Sequence, residues 1–275
     1  MSYASILVHV QSTPDALPRL KCARALAEVF DATLIGVGAE AVPPAPVDDG
    51  YSNMAAQYFT AMRQLTEANL KSANKVFKEV SSGLSKPPLW ECGLQTPGPA
   101  VANASRGADL IVASASIAGH DDPYLHAFAS DLAIASGRPV LVTPPRADPL
   151  LGRKVILAWK DSREARRAMA DAMPLLERAD EVLVLEVCTG DDKINAKIRT
   201  DDVVSALKRH GVAAVAKVAA HHSADGPAIL HEASRFGADL IVAGAYGHSR
   251  LGEWAFGGVT RDLLAQHDRY VLLSH

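Results

Sequence analysis

Gly107-Ala108-Asp109-Leu110-Ile111-Val112-Ala113 and Gly237-Ala238-Asp239-Leu240-Ile241-Val242-Ala243 spell the same heptapeptide, GADLIVA. The match extends backwards. Gly98-Pro99-Ala100 leads through Ala104-Ser105-Arg106 into the first copy, and Gly226-Pro227-Ala228 leads through Ala233-Ser234-Arg235 into the second. Each segment reads as a helix running into a buried strand, and self-similarity at this length marks a duplicated unit. The fronts of the copies also correspond. Ile6 to Val10 (ILVHV) followed by Thr13-Pro14-Asp15-Ala16 parallels Val155 to Trp159 (VILAW) followed by Ser162-Arg163-Glu164-Ala165. Both read as strand, polar turn and helix, with Thr13 and Ser162 as N-caps and Pro14 suited to a first helical position.

A chain of 275 residues fits one large domain or two of about 100 to 200 residues, and the repeat decides for two. Their units begin near Tyr3 and Arg153. Between them, Thr143-Pro144-Pro145-Arg146-Ala147-Asp148-Pro149 carries three prolines, which cannot continue a helix or a central strand. The expected domains are residues 1–146 and 150–275. The first copy also holds a proline-rich insertion from Val42 to Gly50, before an amphipathic pattern from Met54 to Val80.

Continuous apolar runs alternate with helical patterns in each half. They are ILVHV, TLIGVGA, DLIVAS and PVLVTP in the first, and VILAW, EVLVLEV, VAAVAKVA, DLIVAGA and YVLLS in the second. Strands apolar on both faces are what a parallel sheet covered by helices on each side requires. The fold class is therefore α/β, with two doubly wound, Rossmann-like domains in tandem of about five strands each.

Hydrophobic residues make up 48% of the chain and charged residues 21%, enough to bury a core. A net charge of −3 provides no broad positive field, so neither nucleic acid nor an anionic membrane is an expected partner. Three scattered cysteines, Cys22, Cys92 and Cys188, support neither a disulfide framework nor a metal knuckle. The N-terminus shows no signal pattern and no stretch approaches a membrane span. The expected location is cytoplasmic.

One loop has the composition for chemistry. After the strand ending at Ala243 come Gly244, Ala245, Tyr246, Gly247 and His248, and later Gly257, Gly258, Val259 and Thr260 open a helix. The loop leaves the carboxyl end of a strand, where open α/β sheets bind ligands. Gly244 and Gly247 permit positive φ and close backbone approach, and the free N–H groups and dipole of the helix that follows attract an anion. Phosphate is the ligand this chemistry favours.

The spacing G-x2-G-x9-G at Gly244, Gly247 and Gly257, on a strand-loop-helix frame and in a tandem chain, resembles the universal stress protein family. In that family the pattern continues with Ser or Thr and marks an ATP-binding branch. Here Gly258 follows, and the nearest hydroxyl is Thr260. Where the family places an Asp at the end of the first strand, this chain has Lys160 followed by Asp161, and Gln11 in copy one. The resemblance implies a stress-responsive sensor or regulator that binds ATP, with Mg, in its second domain. The phosphates and ribose would lie on Gly244, Tyr246, Gly247, His248, Gly257, Gly258, Val259 and Thr260, and the base near Ala158, Trp159, Lys160 and Val187. It also implies pairing of the two units through their last strands, Pro139 to Thr143 and Tyr270 to Ser274, as a pseudo-dimer within the chain, and a homodimer of the chain.

Copy one lacks the spaced glycines, and its Asp121 and Asp122 would repel a polyphosphate. No GxxxxGK[ST] is present, so rapid phosphoryl transfer is not expected. His221, His222 and His231 lack a completing ligand set, His248 lacks an orienting carboxylate, and the Arg163, Arg166 and Arg167 cluster reads as a solvated face. Two rival functions remain: an interaction module that binds no nucleotide, and a slow ATPase.

Overall fold

The computed structural model describes residues 2–45, 52–115, 122–145, 149–220, 224–247, 258–266 and 268–275. The chain divides into two compact units, one spanning Tyr3–Ser136 and the other built on Gly137–His275.

The first unit runs β1 (Ser5–His9), α1 (Leu17–Phe30), β2 (Thr33–Glu40), α2 (Ser52–Val80), β3 (Leu89–Leu94), α3 (Pro97–Ala104), β4 (Leu110–Ser114) and α4 (Ala129–Ala135). Its strands lie in the order β3-β2-β1-β4, all parallel. Two helix layers cover them, α1 against α2 and α3 against α4, so Ile6, Leu7, Val8, Leu110, Ile111 and Val112 are almost wholly buried. Strand β3 has no counterpart among the apolar runs read from the sequence. It is an edge strand, LWECGL, whose residues are mostly exposed, so no apolar run was required. Thr13 makes no side-chain cap. A 3-10 turn at Pro14–Ala16 intervenes before α1.

The second unit runs β5 (Val140–Thr143), β6 (Lys154–Trp159), α5 (Arg163–Asp171), α6 (Met173–Leu176), β7 (Glu181–Cys188), α7 (Lys193–Arg209), β8 (Ala214–Ala220), α8 (Asp225–Phe236), β9 (Leu240–Gly244), α9 (Gly258–Ala265) and β10 (Tyr270–Ser274). Strand order is β5-β10-β9-β6-β7-β8, parallel except that β5 runs antiparallel to β10, with Val142 opposite Val271. That pairing covers an edge that β10 would otherwise expose, and it brings the β5 segment, read as the end of the first repeat, into the second compact unit.

The repeat holds at the level of register. Ile6 pairs with Leu110 in the first unit as Val155 pairs with Leu240 in the second. The repeated aspartate has one job in both copies. Asp109 Oδ2 accepts the backbone N–H groups of Ala4 and Ser5, at 2.8 and 3.0 Å. Asp239 accepts those of Arg153 and Lys154, at 3.1 and 3.3 Å. Each carboxylate thus anchors the entry of the strand paired with its own. Among the described residues no helix is long and apolar enough to cross a membrane.

Candidate functional site

At the carboxyl ends of β6, β7 and β9 the second unit opens a cleft of about 500 Å³. The end of β6 supplies Ala158, Trp159 and Lys160, and β7 supplies Val187. The end of β9 and the loop after it supply Gly244, Tyr246 and Gly247, and the first turn of α9 supplies Gly258, Val259 and Thr260. Residues read separately from the sequence therefore line a single cavity. His248 and Gly257 lie outside the described residues.

The glycines do this by close approach. Neither Gly244 nor Gly247 takes a positive φ. The left-handed conformation falls instead on Tyr246, at φ 57°. A Cβ on Gly244 would stand 2.7 Å from the backbone N of Ala165, closer than atoms can pack, so the loop lies directly on the start of α5. Among the described residues, a Cβ on Gly258 would meet nothing within 4 Å. Thr260 is buried, and its hydroxyl accepts the Tyr246 backbone N–H at 3.4 Å, tying the loop to α9. Tyr246 also makes an edge contact with His275, whose ring nitrogen donates to the Ala245 carbonyl at 2.9 Å.

Several lining residues escaped the sequence reading, chiefly Glu164, Asp225 and Asp262. Glu164 was hidden among the arginines of α5. It lies in the first turn after a strand, where Ser162 caps the helix by accepting the Ala165 N–H at 3.3 Å. Only 7% exposed, Glu164 is penalised as an anion by burial. Its own backbone N–H, the Ser162 hydroxyl and Arg163 outweigh that and hold its carboxyl below the usual range. Asp225 sits 3.6 Å from Lys160 Nζ, so the lysine reaches the cleft already paired. Trp159 is buried, and its indole Nε1 has no hydrogen-bond partner among the described residues.

A smaller recess of about 320 Å³ adjoins through Lys160, Val187 and Asp225 and reaches Glu186, Cys188 and Arg199. Arg199 grips the buried Glu186 through Nε at 3.0 Å and also contacts Asp192, at 2.5 Å. Burial, with Glu186 and Asp192 nearby, pushes the Cys188 thiol up and away from reactivity.

In the first unit a buried arginine side chain lies at the corresponding strand ends. Buried Arg19 donates through Nε to the His9 carbonyl at 2.9 Å, through Nη1 to Ser114 Oγ at 2.7 Å and through Nη2 to Gln11 Oε1 at 3.1 Å. By the shared register, His9, Gln11 and Ser114 stand where the second unit has Ala158, Lys160 and Gly244. Asp121 lies outside the described residues, and Asp122 accepts the Tyr124 N–H at 2.8 Å. Among the described residues no group of three or more His, Cys, Asp or Glu is placed to hold a metal ion.

Duplicated α/β units, one with a ligand-sized cleft at the carboxyl ends of its strands, define a tandem Rossmann-like protein. A model described as the universal stress protein family matches residues 121–275, more than half of the chain, and the chain belongs to that family. Its fold is similar to that of a universal stress protein from Archaeoglobus fulgidus DSM 4304, at 15% identity and a TM-score of 0.69, covering 98% of this chain and 95% of that one. It is also similar to that of a functionally unknown protein from Pseudomonas aeruginosa PAO1, at 18% identity and a TM-score of 0.61, covering 99% and 92%. No curated protein matches the chain.

Proposed function

We propose that the second unit binds an adenine nucleotide, ATP or a close relative, in the 500 Å³ cleft, and that the chain acts in the stress response as a sensor or regulator rather than as a fast enzyme. The observation that carries this reading is the convergence of the β6 end, Val187, the glycine loop and the start of α9 on one cavity. The residues fit the ligand's parts. The first-turn N–H groups of α9, which begins at Gly258 on the cleft, suit an anion. Trp159 offers an aromatic face and a buried donor that lacks a partner. Mg²⁺ would enter with the phosphate chain, its water shell meeting the hard oxygens of Asp225 and Asp262, which line the same cleft. The same reading has a homodimer of the chain in the cytoplasm, to be checked by light scattering and cell fractionation.

Calorimetry with ATP, ADP and AMP, with and without Mg²⁺, tests the proposal alongside thermal melting. Binding should raise the apparent stability by mass action, by about 2.7 kcal/mol at a hundred times Kd. Absence of both heat and stabilisation at millimolar ligand would reject it.

A further inference from the structure

We infer that Glu164 sets which nucleotides the cleft accepts, disfavouring a free polyphosphate chain relative to adenosine and AMP. The inference rests on the nucleotide reading and narrows it. Glu164 lines the cleft and is buried against the glycine loop itself: a Cβ on Gly247 would stand 2.8 Å from Glu164 Oε2. The small residue that lets a backbone approach an anion here already faces one supplied by the protein.

Among the described residues the surrounding charges do not cancel it. Among the described residues the cleft is lined by three carboxylates, Glu164, Asp225 and Asp262, against two cations, Lys160 and Arg261. Lys160 lies 3.6 Å from Asp225, and Arg261 lies 3.9 Å from Asp262. Arg163 pairs with Glu164 at 3.1 Å, but its side chain is 78% exposed, so water weakens that compensation. The positive end of α5 is likewise satisfied from within, since Glu164 occupies its first turn. Each phosphate added to a ligand therefore adds repulsion against a fixed anion, and adenosine adds none.

The experiment is calorimetry of adenosine, AMP, ADP and ATP in EDTA, with the wild-type chain, Glu164→Gln and Arg163→Ala. Glutamine keeps the size and removes the charge, so ATP should bind about ten-fold more tightly to Glu164→Gln while adenosine affinity stays unchanged. Arg163→Ala unmasks the carboxylate and should weaken ATP by about three-fold, again leaving adenosine alone. If adenosine binds every form and ATP affinity is the same throughout, the role of Glu164 is overturned and the nucleotide reading stands. If neither adenosine nor any nucleotide binds any form, the nucleotide reading itself fails and the inference falls with it.

Discussion

Arg19 Nη1 donates to Ser114 Oγ at 2.7 Å, at the end of β4 in the first unit and at the register position that Gly244 holds on β9 in the second. The guanidinium satisfies three acceptors, on His9, Ser114 and Gln11. Arg19→Met keeps much of the volume but strands them, and should cost about 1–3 kcal/mol. Urea denaturation checks this, and an unchanged midpoint would show that the acceptors find other partners.

Gly244 and Gly258 separate packing from binding. Gly244→Ala drives a Cβ to 2.7 Å from the Ala165 backbone and should destabilise the protein by about 1–3 kcal/mol. Gly258→Ala meets nothing within 4 Å among the described residues and should leave thermal stability unchanged within about 1 kcal/mol. Melting curves of the two variants side by side should differ clearly, and equal curves would contradict the geometry of the loop.

His9 provides a pH dependence. Burial, with Arg19 nearby, lowers its pKa from 6.5 to about 3, and its ring donates to the Ala39 carbonyl at 2.9 Å. The unfolded chain takes up this proton as pH falls below 6.5 and the folded chain does not until near 3. The contribution of His9 is therefore complete above 6.5 and declines by about 1.4 kcal/mol per pH unit across that window. His9→Gln, which retains a donor for Ala39, should remove this component. Stability-pH profiles of equal slope in both proteins would refute the assignment.

Glu186 is 4% exposed and held by Arg199. Arg199→Ala leaves that carboxylate buried without its cation and should cost about 3–5 kcal/mol, with Glu186→Gln added to it restoring much of the loss. A double variant no more stable than Arg199→Ala would mean that burial of the charge is not the source.

Asp239→Ala removes the acceptor for the Arg153 and Lys154 N–H groups. Both are near solvent, so the expected loss is about 1 kcal/mol, measurable by thermal denaturation. A neutral result would leave the conservation of this residue between the two copies of GADLIVA without a structural reason.

Much of the architecture was legible because burial is written locally. Runs such as VILAW and DLIVAGA are apolar on both faces, and they form β6 and β9. LWECGL was not legible, since an exposed edge strand needs no such pattern. In the cleft, the glycine loop was readable from its position after a strand, and the end of β6 only through the family resemblance. Glu164 and Asp225 were not, because a charged residue in a first helical turn looks the same whether it faces solvent or a cavity.

The amino-acid order alone determined a duplicated α/β frame and the strand after which a glycine loop leaves the sheet, because periodicity and repetition are properties of neighbours along the chain. Only the tertiary structure decided that Arg19 bridges the strand ends of one unit while Glu164 lines the cleft of the other. Those outcomes depend on distances between residues far apart in the chain, and electrostatic energy follows separation in space and exposure to water.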